Sequence, residues 1–447
     1  MAQSEEPARA AGAAEVDVSS RPPRLSPLRT ASALALTLHI APLAALSPLA
    51  APPPAWADSA SPNPSPTTNN LLETRERFHP VLSTGGVVAA QEARAAEAGA
   101  RQLRAGGNAV DAAGAPAFAL AVTYPQAGNL GGGGFLVLWL PGASPARGRG
   151  CLPPGGPSPE RAIGKGTAVA INFRERAPRA ATPDMFLKPD GGVDRQRSLR
   201  GLVSTGVPGT VAGLVLAQRC YGRLPLSTVM APAITLAEEG FAVGPSLSRA
   251  LTASAPQLQA DPTARSLFYP ADAEGRPRPP RPGELLRQPH LARPLRRVAA
   301  RGEAGFYAGP VAEALAQLMA RGGGLITTAD LRADQARLVP PLQRSFRGHP
   351  LLTMPPPGGG LTLLQLLALL EPFPLEATGL NSASGIHLLV EAMNLAYRDR
   401  NDFLGDPDQR SIPTNRLLSE PYLAALRRRI DLERHRPPPT LPPRPPR

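Results

Sequence analysis

Four consecutive glycines, at positions 131–134, interrupt this sequence between a helix-like segment and a strand-like one. The apolar residues 109–122 come before them, and the run Leu136-Val137-Leu138-Trp139-Leu140 follows. Glycine is unfavourable there unless the backbone needs a positive φ or another group must approach it closely. The run therefore predicts a turn whose main chain forms part of a cleft, with a flexible loop as the plain alternative. It is not a phosphate loop, because Gly-x-x-x-x-Gly-Lys-[Ser/Thr] does not occur.

Charge and cysteine content exclude several classes of protein. The net charge of +13 is almost all arginine, since Lys165 and Lys188 are the only lysines. Nucleic-acid binding requires clustered basic residues with aromatic residues for stacking, whereas here the arginines are scattered and aromatic residues make up 4%. No nucleic-acid partner is expected. Cys151 and Cys220 supply neither a metal site nor a disulfide framework, and whether they pair with each other stays open.

The N-terminus has the pattern of an export signal. Three arginines precede the apolar residues 31–50, and Ala55-Trp56-Ala57 offers a small-x-small cleavage site. We therefore expect a signal peptide with a long n-region at 1–57, a flexible leader at 58–78, and an exported protein in the periplasm or outside the cell. The alternative is a leader that is never cleaved. No later segment is apolar and long enough to span a membrane.

Residues 79–432 predict one α/β domain, because short strand-like runs alternate with helical segments. Residues 87–90 predict a buried strand, and Pro116 should kink or interrupt the helix that contains it. Two strands, at 135–140 and 168–173, flank a hairpin insertion of Gly, Pro, Arg and Ser at 141–167. Further helices are predicted at 91–104, 109–122, 311–321, 361–370 and 386–400, and another after a Thr327 cap.

Catalytic patterns are scarce. The six histidines form no metal-ligand spacing, and there is no Gly-x-Ser-x-Gly elbow, so we expect no metal or cofactor. The carboxylates could include a catalytic pair, although structural ion pairs with Arg398 and Arg400 explain them better. His387 is expected to be a core or interface residue. The carboxylates in question are Glu371, Glu391, Asp399, Asp402 and Asp406. The residues alone nominate no acid, base or nucleophile.

Taken together, several motifs resemble the large subunit of the γ-glutamyltranspeptidase (glutathione hydrolase) family. They occur in the family's order over about residues 79–432. The first four are Gly106-Gly107-Asn108-Ala109-Val110-Asp111-Ala112-Ala113, Pro125-Gln126-Ala127-Gly128-Asn129-Leu130-Gly131-Gly132-Gly133-Gly134-Phe135, Phe173-Arg174-Glu175-Arg176-Ala177-Pro178 and Gly206-Val207-Pro208-Gly209-Thr210-Val211-Ala212-Gly213. The others are Gly323-Gly324-Leu325-Ile326-Thr327, Met354-Pro355-Pro356-Pro357, and Glu391-Ala392-Met393 with Ala396-Tyr397-Arg398-Asp399-Arg400 and Leu404-Gly405-Asp406-Pro407.

The resemblance implies an N-terminal-nucleophile hydrolase with an αββα sandwich. Such enzymes are made as one precursor that cleaves itself into large and small subunits. The new N-terminal threonine of the small subunit attacks a γ-glutamyl amide such as glutathione, with its own amine as base. Water or an acceptor amine then resolves the acyl-enzyme, and backbone N–H groups stabilise the oxyanion. The small subunit is accordingly the expected partner.

One substrate-binding residue follows from the resemblance. Arg174 matches the family arginine that holds the α-carboxylate of the γ-glutamyl group, and a guanidinium fork suits that task. Glu175 and Arg176 are interpreted as local structure.

The nucleophile motif of the family, Thr-Thr-His-like, does not occur. Thr67-Thr68 is followed by Asn69, and Thr327-Thr328 is followed by Ala329. No catalytic residue is therefore assigned, and this chain alone is expected to be inactive. A Pro/Arg-rich tail at 433–447 takes the place of the small subunit, which indicates a separate large subunit, a truncated or frameshifted gene, or a non-catalytic remnant; truncation or frameshift is favoured. Without the small subunit, sheet edges and apolar faces should be exposed.

Two other functions stay open. One is a relative in the same superfamily that acts on cephalosporin side chains or poly-γ-glutamate; Arg174 argues against substrates without an α-carboxylate. The other is a non-catalytic binding or scaffold protein of the same fold.

Overall fold

The computed structural model describes residues 82–141, 151, 166–379 and 381–435. The signal peptide and the leader predicted for 1–78, nearly all of the insertion between the first two strands, and most of the tail lie outside these residues. The helices are α1 (Ala93–Arg104), α2 (Ala109–Thr123), α3 (Arg195–Leu199), α4 (Thr210–Tyr221), α5 (Leu226–Glu239), α6 (Pro245–Leu258), α7 (Pro262–Phe268), α8 (Pro289–Arg301), α9 (Ala304–Tyr307), α10 (Pro310–Gly322), α11 (Thr328–Ala333), α12 (Gly360–Leu370), α13 (Leu375–Thr378), α14 (Ala383–Phe403), α15 (Thr414–Leu417) and α16 (Glu420–Arg427). The strands are β1 (Gly134–Pro141), β2 (Gly166–Phe173), β3 (Phe241–Ala242), β4 (Leu285–Leu286), β5 (Arg337–Val339), β6 (Leu342–Phe346) and β7 (His349–Thr353).

β1 and β2 form an antiparallel pair, and β5 adds to the other edge of β2. The register pairs Leu136 with Ile171 and Leu138 with Val169. These residues belong to one buried cluster with Leu216 of α4, so α4 covers this inner face of the sheet. The alternation along β1 sends every second side chain to the opposite, outer face.

α2 is buried nearly all round, because α1, α4 and α5 pack against it. Its N-terminus is closed by a capping box in which Asn108 and Asp111 accept each other's backbone N–H. The fully buried Asp111 also accepts from the Gln218 side chain at 2.6 Å and from the Arg223 and Leu224 backbones at 3.1 Å. The Asn108–Asp111 motif is thus a structural cap that joins α2 to the end of α4.

The strand predicted at 87–90 and an interruption of α2 at Pro116 are both wrong, whereas a kink at Pro116 stays a prediction. No strand forms at residues 87–90, and Val87 is 65% exposed. The helix α2 is continuous through Pro116. Close packing surrounds this proline: a Cβ on Gly99 of α1 would lie 2.8 Å from the Pro116 ring and 2.4 Å from the Ala112 carbonyl oxygen. Tertiary packing of α1 against α2 therefore stabilises a helix that local propensity disfavours.

Most other elements agree with the sequence predictions. The strands at β1 and β2 and the helices α1, α2, α10, α12 and α14 are confirmed. α10 ends at Gly323, whose φ of 72° suits glycine. Thr327 caps α11 in a capping box with Asp330. In the described residues, no helix combines the length and apolar character that crossing a bilayer would need.

A disulfide joins Cys151 to Cys220, a pairing that the sequence left open. Cys151 comes from the segment between β1 and β2, and Cys220 lies near the end of α4. Both are buried in the cluster beneath the sheet, where the Tyr221 hydroxyl donates to the Cys151 carbonyl. The bond fastens one point of that segment to the helix that covers the inner face.

The C-terminal helices form a second core, in which α12 and α14 pack together with α16. The buried Asp399 accepts from Gln365 at 2.6 Å and from the Tyr422 hydroxyl at 2.8 Å, and thereby ties the three helices together. This core positions the end of α14 and the loop that follows it.

Candidate functional site

A cleft of about 620 Å³ opens where β2 ends. The C-terminal end of β2 forms one wall, the loop before α12 forms the second, and the last turn of α14 with residues 404–408 forms the third. Its volume lies in the range of small-molecule sites. Charged side chains dominate its lining: Arg174, Glu175, Arg176, Arg337, Arg400, Asp406 and Asp408.

Arg174, the substrate-binding residue predicted from the sequence, lies in this cleft. Its side chain is exposed, and its Nη1 donates to the Pro357 carbonyl oxygen across the cleft at 3.2 Å. Asn172 turns the chain at the strand end by accepting from the Arg174 backbone N–H at 3.1 Å. Among the described residues, the Arg174 guanidinium makes no ion pair with a carboxylate. Most of its five N–H donors are thus free for a ligand.

Glycines from two motifs pack around the backbone that carries Arg174. A Cβ on Gly133 would lie 2.5 Å from the Phe173 carbonyl oxygen and 2.7 Å from the Glu175 nitrogen. A Cβ on Gly209 would lie 2.1 Å from the same carbonyl oxygen, and one on Gly213 would lie 2.1 Å from the Phe173 ring. Residues with side chains cannot fit at these contacts without displacing the end of β2.

The glycine run at 131–134 therefore meets one of the two conditions set out from the sequence. Among the residues described, its glycines have no positive φ, so close approach explains Gly132, Gly133 and Gly134, whereas Gly131 has no such contact. The Gly132 carbonyl oxygen also accepts from the Gly209 and Thr210 N–H groups, at 2.8 and 2.9 Å, which joins the run to the start of α4. The run lies behind the cleft, and Phe135, directly after it, is the residue of this segment that lines the cleft.

A charge cluster forms the floor beside Arg174. Asp408 lies 2.7 Å from Arg337 and 3.5 Å from Arg176, and Arg176 is in turn 3.9 Å from Asp334. Burial raises the pKa of the Asp334 carboxyl to about 6, against the opposing effects of Arg176 and Arg337. The cluster links the loop at 404–408 to β5, so it supports the cleft wall. The local, structural role predicted for Arg176 agrees with these contacts.

The first turn of α12 also faces the cleft. Gly358 and Gly359 line it, and no side chain caps the helix. The Arg174 contact to Pro357 brings the guanidinium next to this helix end. Free N–H groups at a helix N-terminus favour negative charge, so both features give this side of the cleft a preference for anions.

The carboxylates noted in the sequence separate into two groups. Asp406 lines the cleft. Glu391 pairs with His435 at 2.7 Å, Asp399 holds the helical core and lies 3.6 Å from Arg398, and Glu371 accepts from the Arg347 N–H at 2.7 Å. These three carboxylates therefore have structural contacts, and of the predicted pairs with Arg398 and Arg400 the described residues show the one between Asp399 and Arg398.

His387 was predicted to be a core or interface residue. It is partly buried on α14, and its Nε2 lies 2.7 Å from the Asp431 carbonyl oxygen, so it lies between α14 and the C-terminal segment. Within the described ranges, no group of His, Cys, Asp and Glu side chains could hold a metal ion.

Sequence reasoning missed Arg337, Arg400 and Asp408 as cleft residues. Arginine is so abundant in this chain that no single one stands out, and these three are separated from Arg174 by more than 150 residues. The motif Ala396-Tyr397-Arg398-Asp399-Arg400 marked the segment of Arg400, but its role depends on how the end of α14 meets the end of β2.

Comparisons with known proteins agree with this geometry. The family model described as gamma-glutamyltranspeptidase matches residues 95–146 and 161–445. The chain is 39% identical over 381 residues to the glutathione hydrolase proenzyme of Escherichia coli (strain K12), which covers 85% of this chain and 61% of that protein. It is 34% identical over 361 residues to the Acylase ACY 1 proenzyme of Pseudomonas sp. (strain V22), which covers 79% of this chain and 60% of that protein.

A solved structure gives the same result for the fold. The γ-glutamyltranspeptidase of Helicobacter pylori matches with a TM-score of 0.73 and 34% identity, over 81% of this chain and 97% of the matched chain. The chain combines a sheet with helices and matches this γ-glutamyltranspeptidase structure over most of its length, so it has the N-terminal-nucleophile hydrolase fold. The predicted fold class is therefore confirmed. The chain belongs to the γ-glutamyltranspeptidase family. It spans about three fifths of the length of the curated relatives named above.

Proposed function

We propose that this chain forms the large-subunit part of a γ-glutamyltransferase or glutathione hydrolase, with residues 79–432 as the large-subunit domain. Its task is to hold the γ-glutamyl group of a substrate such as glutathione by the α-carboxylate. The observation that carries this proposal is Arg174: an exposed guanidinium, without a carboxylate partner among the described residues, at a strand end that faces a cleft of about 620 Å³.

The geometry at Arg174 suits carboxylate capture. A guanidinium offers two parallel N–H groups to a carboxylate, and such charge-assisted pairs are about twice as strong as neutral hydrogen bonds. The Pro357 contact directs the side chain across the cleft, while the glycine contacts behind Phe173 fix the backbone. A substrate bound in this way would present its γ-amide at a fixed distance from Arg174, which is the requirement for efficient attack.

The nucleophile in this proposal is a threonine on a separate small-subunit segment of the same precursor. Its hydroxyl attacks the γ-carbonyl carbon, its own α-amine takes the proton, and the amine of the leaving peptide departs with a proton. Water or an acceptor amine then attacks the γ-glutamyl ester and regenerates the hydroxyl. The relatives described as proenzymes support a precursor of this kind.

The exposed apolar side chains on the outer face of β1 are a further argument for a protein partner. Phe135, Val137 and Trp139 alternate along the strand and are 39, 39 and 48% exposed. Opposite them on β2 lie small residues, since Val137 pairs with Ala170 and Trp139 with Ala168. This row of large apolar side chains begins at the cleft, because Phe135 lines it. A small subunit seated on the face would cover the row and bring its nucleophile to Arg174.

We also propose that the chain is exported, which fits both the N-terminal sequence and the disulfide. Disulfides form and persist in oxidising compartments such as the periplasm. The Cys151–Cys220 bond is buried in the core of the domain rather than exposed at its surface.

Arg174→Ala tests the function. In the enzyme that carries this chain with its nucleophile-bearing segment, we expect the KM for a γ-glutamyl anilide to rise about 100-fold, since two charge-assisted hydrogen bonds are lost. Self-cleavage of the precursor, read on a denaturing gel, should be unchanged. Arg174→Lys should recover part of the loss. An unchanged KM in Arg174→Ala would contradict the role of Arg174.

An acylase function is the second candidate, because a relative described as an acylase also matches. The two are separated by a butyryl amide, which has the carbon chain of the γ-glutamyl group but no α-amino or α-carboxylate group. A transpeptidase that depends on Arg174 should turn over this analogue poorly, and Arg174→Ala should not slow it further. Equal turnover of both amides would favour the acylase.

A further inference from the structure

The four arginines that line the cleft differ in their partners. Arg176 and Arg337 share the Asp408 carboxylate, and Arg176 also lies near Asp334, so their charges are largely compensated. Arg174 and Arg400 make no ion pair with any carboxylate that the structure describes. The cleft therefore holds two arginines without a direct ion pair, one on the β2 wall and one on the α14 wall, and the carboxylates of Glu175 and Asp406 line it as well.

Arg400 is held in place without being neutralised. Its guanidinium carbon lies 5.8 Å from the centre of the Tyr397 ring one turn earlier on α14, and its Nη1 donates to the Asn401 side-chain oxygen at 3.2 Å. Stacking on an aromatic ring restricts the side chain but leaves the N–H edge of the guanidinium open. A position in the last turn of a helix also stabilises that helix, which is the plain role of such an arginine. That role does not require the side chain to line a cleft.

We propose that Arg400 binds a second carboxylate of the substrate, the one on the peptide side of the γ-glutamyl amide. This inference rests on the proposed function, in which Arg174 holds the α-carboxylate. Glutathione carries one carboxylate at each end, separated by about 10 Å in an extended chain. A ligand of that size fits a cleft of 620 Å³, with one charged end on the β2 wall and the other on the α14 wall.

Such an arrangement selects for peptides with a free C-terminus. A γ-glutamyl compound whose amine side lacks a carboxylate would use Arg174 alone. An acceptor dipeptide would place its carboxylate at the same position, because it enters where the leaving peptide departed. Arg400 would then be a specificity-determining residue and not a catalytic one.

Binding to the full 447-residue chain tests the inference. Dissociation constants are measured by ligand-observed NMR for glutathione and for its glycine monoethyl ester, which differ only in the second carboxylate. In Arg400→Ala we expect glutathione to bind about fivefold more weakly, as for one exposed charge-assisted pair, and the ester to bind as before. Arg400→Lys should retain part of the preference. Arg174→Ala should weaken both ligands alike.

Arg416→Ala is the matched control. Arg416 is also an exposed arginine stacked on aromatic rings, 5.5 Å from the Phe403 centre and 5.4 Å from the Tyr422 centre, but it does not line the cleft. It should change neither constant, and thermal unfolding would show that each variant is folded. Equal weakening of both ligands by Arg400→Ala, or no weakening, would overturn this inference and leave the proposed function standing. Arg174→Ala without effect, or a wild-type chain that binds neither ligand, would overturn both.

Discussion

The two faces of the β1–β2 hairpin have opposite characters. On the inner face, Leu136 and Leu138 pack on a buried cluster that α4 covers. On the outer face, Val137 and Trp139 remain 39 and 48% exposed. One strand thus supplies both surfaces, with leucines on the inner face and Phe135, Val137 and Trp139 on the outer face.

The difference indicates that the inner face contributes to the stability of the chain, whereas the outer face is available for assembly with another surface. Large apolar side chains on a surface strand contribute little to the stability of a chain that leaves them exposed, whereas burial of a leucine contributes about 2 kcal/mol. The inner face holds the end of β2, and with it Arg174, in position. The outer face gains its stabilisation when another surface covers it. Three comparisons between variants can break or sharpen this distinction.

The largest effect is expected at Gly213, on the inner side. In Gly213→Ala the new Cβ would lie 2.1 Å from the Phe173 ring, so the ring or α4 must move. Overpacking costs up to about 3 kcal/mol, against a gain of about 1 kcal/mol in helix propensity. We expect the free energy of unfolding, measured by urea denaturation, to fall by about 2 kcal/mol.

Gly85→Ala serves as the control for this measurement, because a Cβ at Gly85 meets no atom within 4 Å. It should change the free energy of unfolding by less than about 0.5 kcal/mol. Equal effects at the two glycines would show that close packing does not hold the end of β2.

The second comparison uses neighbours on opposite faces of one strand. Leu138→Ala removes a half-buried side chain from the inner cluster and should cost about 1.5 kcal/mol in the same denaturation measurement. Val137→Ser, one residue away, should cost less than about 0.5 kcal/mol in this chain. The same Val137→Ser should weaken association with the nucleophile-bearing subunit. A loss of stability that is larger at Val137 than at Leu138 would reverse the roles of the two faces.

A third comparison concerns charge rather than packing. Burial raises the pKa of Asp334 to about 6, so the folded chain binds this proton more tightly than the unfolded chain, whose aspartates have a pKa near 3.9. Because the folded state binds more protons between these values, this carboxyl lowers the stability as the pH rises from about 4 to about 6. Above about 6 its effect is constant.

Asp334→Asn removes that contribution. The variant should lose less stability than the wild type between about pH 4 and 6, as measured by urea denaturation at a series of pH values. The other carboxyl groups contribute alike in both proteins, so the difference between the two curves isolates Asp334. Parallel curves would mean that its pKa is ordinary.

Local patterns predicted the elements well where local chemistry decides them. The cap at Thr327 and the helix end at Gly323 were both read from residue types at fixed positions. The predictions that failed depended on distant contacts. A buried strand at 87–90 needs a partner strand, and none of the described strands supplies one. The interruption expected at Pro116 was outweighed by packing against Gly99 of α1.

The residues of the site show the same division between those predicted from local patterns and those that depend on distant contacts. Arg174 was found through the motif that contains it. The glycine run was predicted to contribute main chain to a cleft, but it packs behind the cleft that Phe135 lines. Its packing partner, Phe173, is about 40 residues away and could not be inferred from the run itself. Arg400 and Asp408 lie more than 220 residues from Arg174 and share the cleft only because α14 ends beside β2. Their residue types alone do not distinguish them from the other charged residues.

The bond between Cys151 and Cys220 closes a covalent ring of the chain, with a sequence separation of 69 residues, and Arg174 is a member of that ring. A single protease cut anywhere between the two cysteines opens the ring without releasing a fragment. The nicked molecule would migrate as one band without reductant and as two bands with it. The cleft wall that carries Arg174 thus stays covalently attached to the domain after any single peptide bond in the ring is broken.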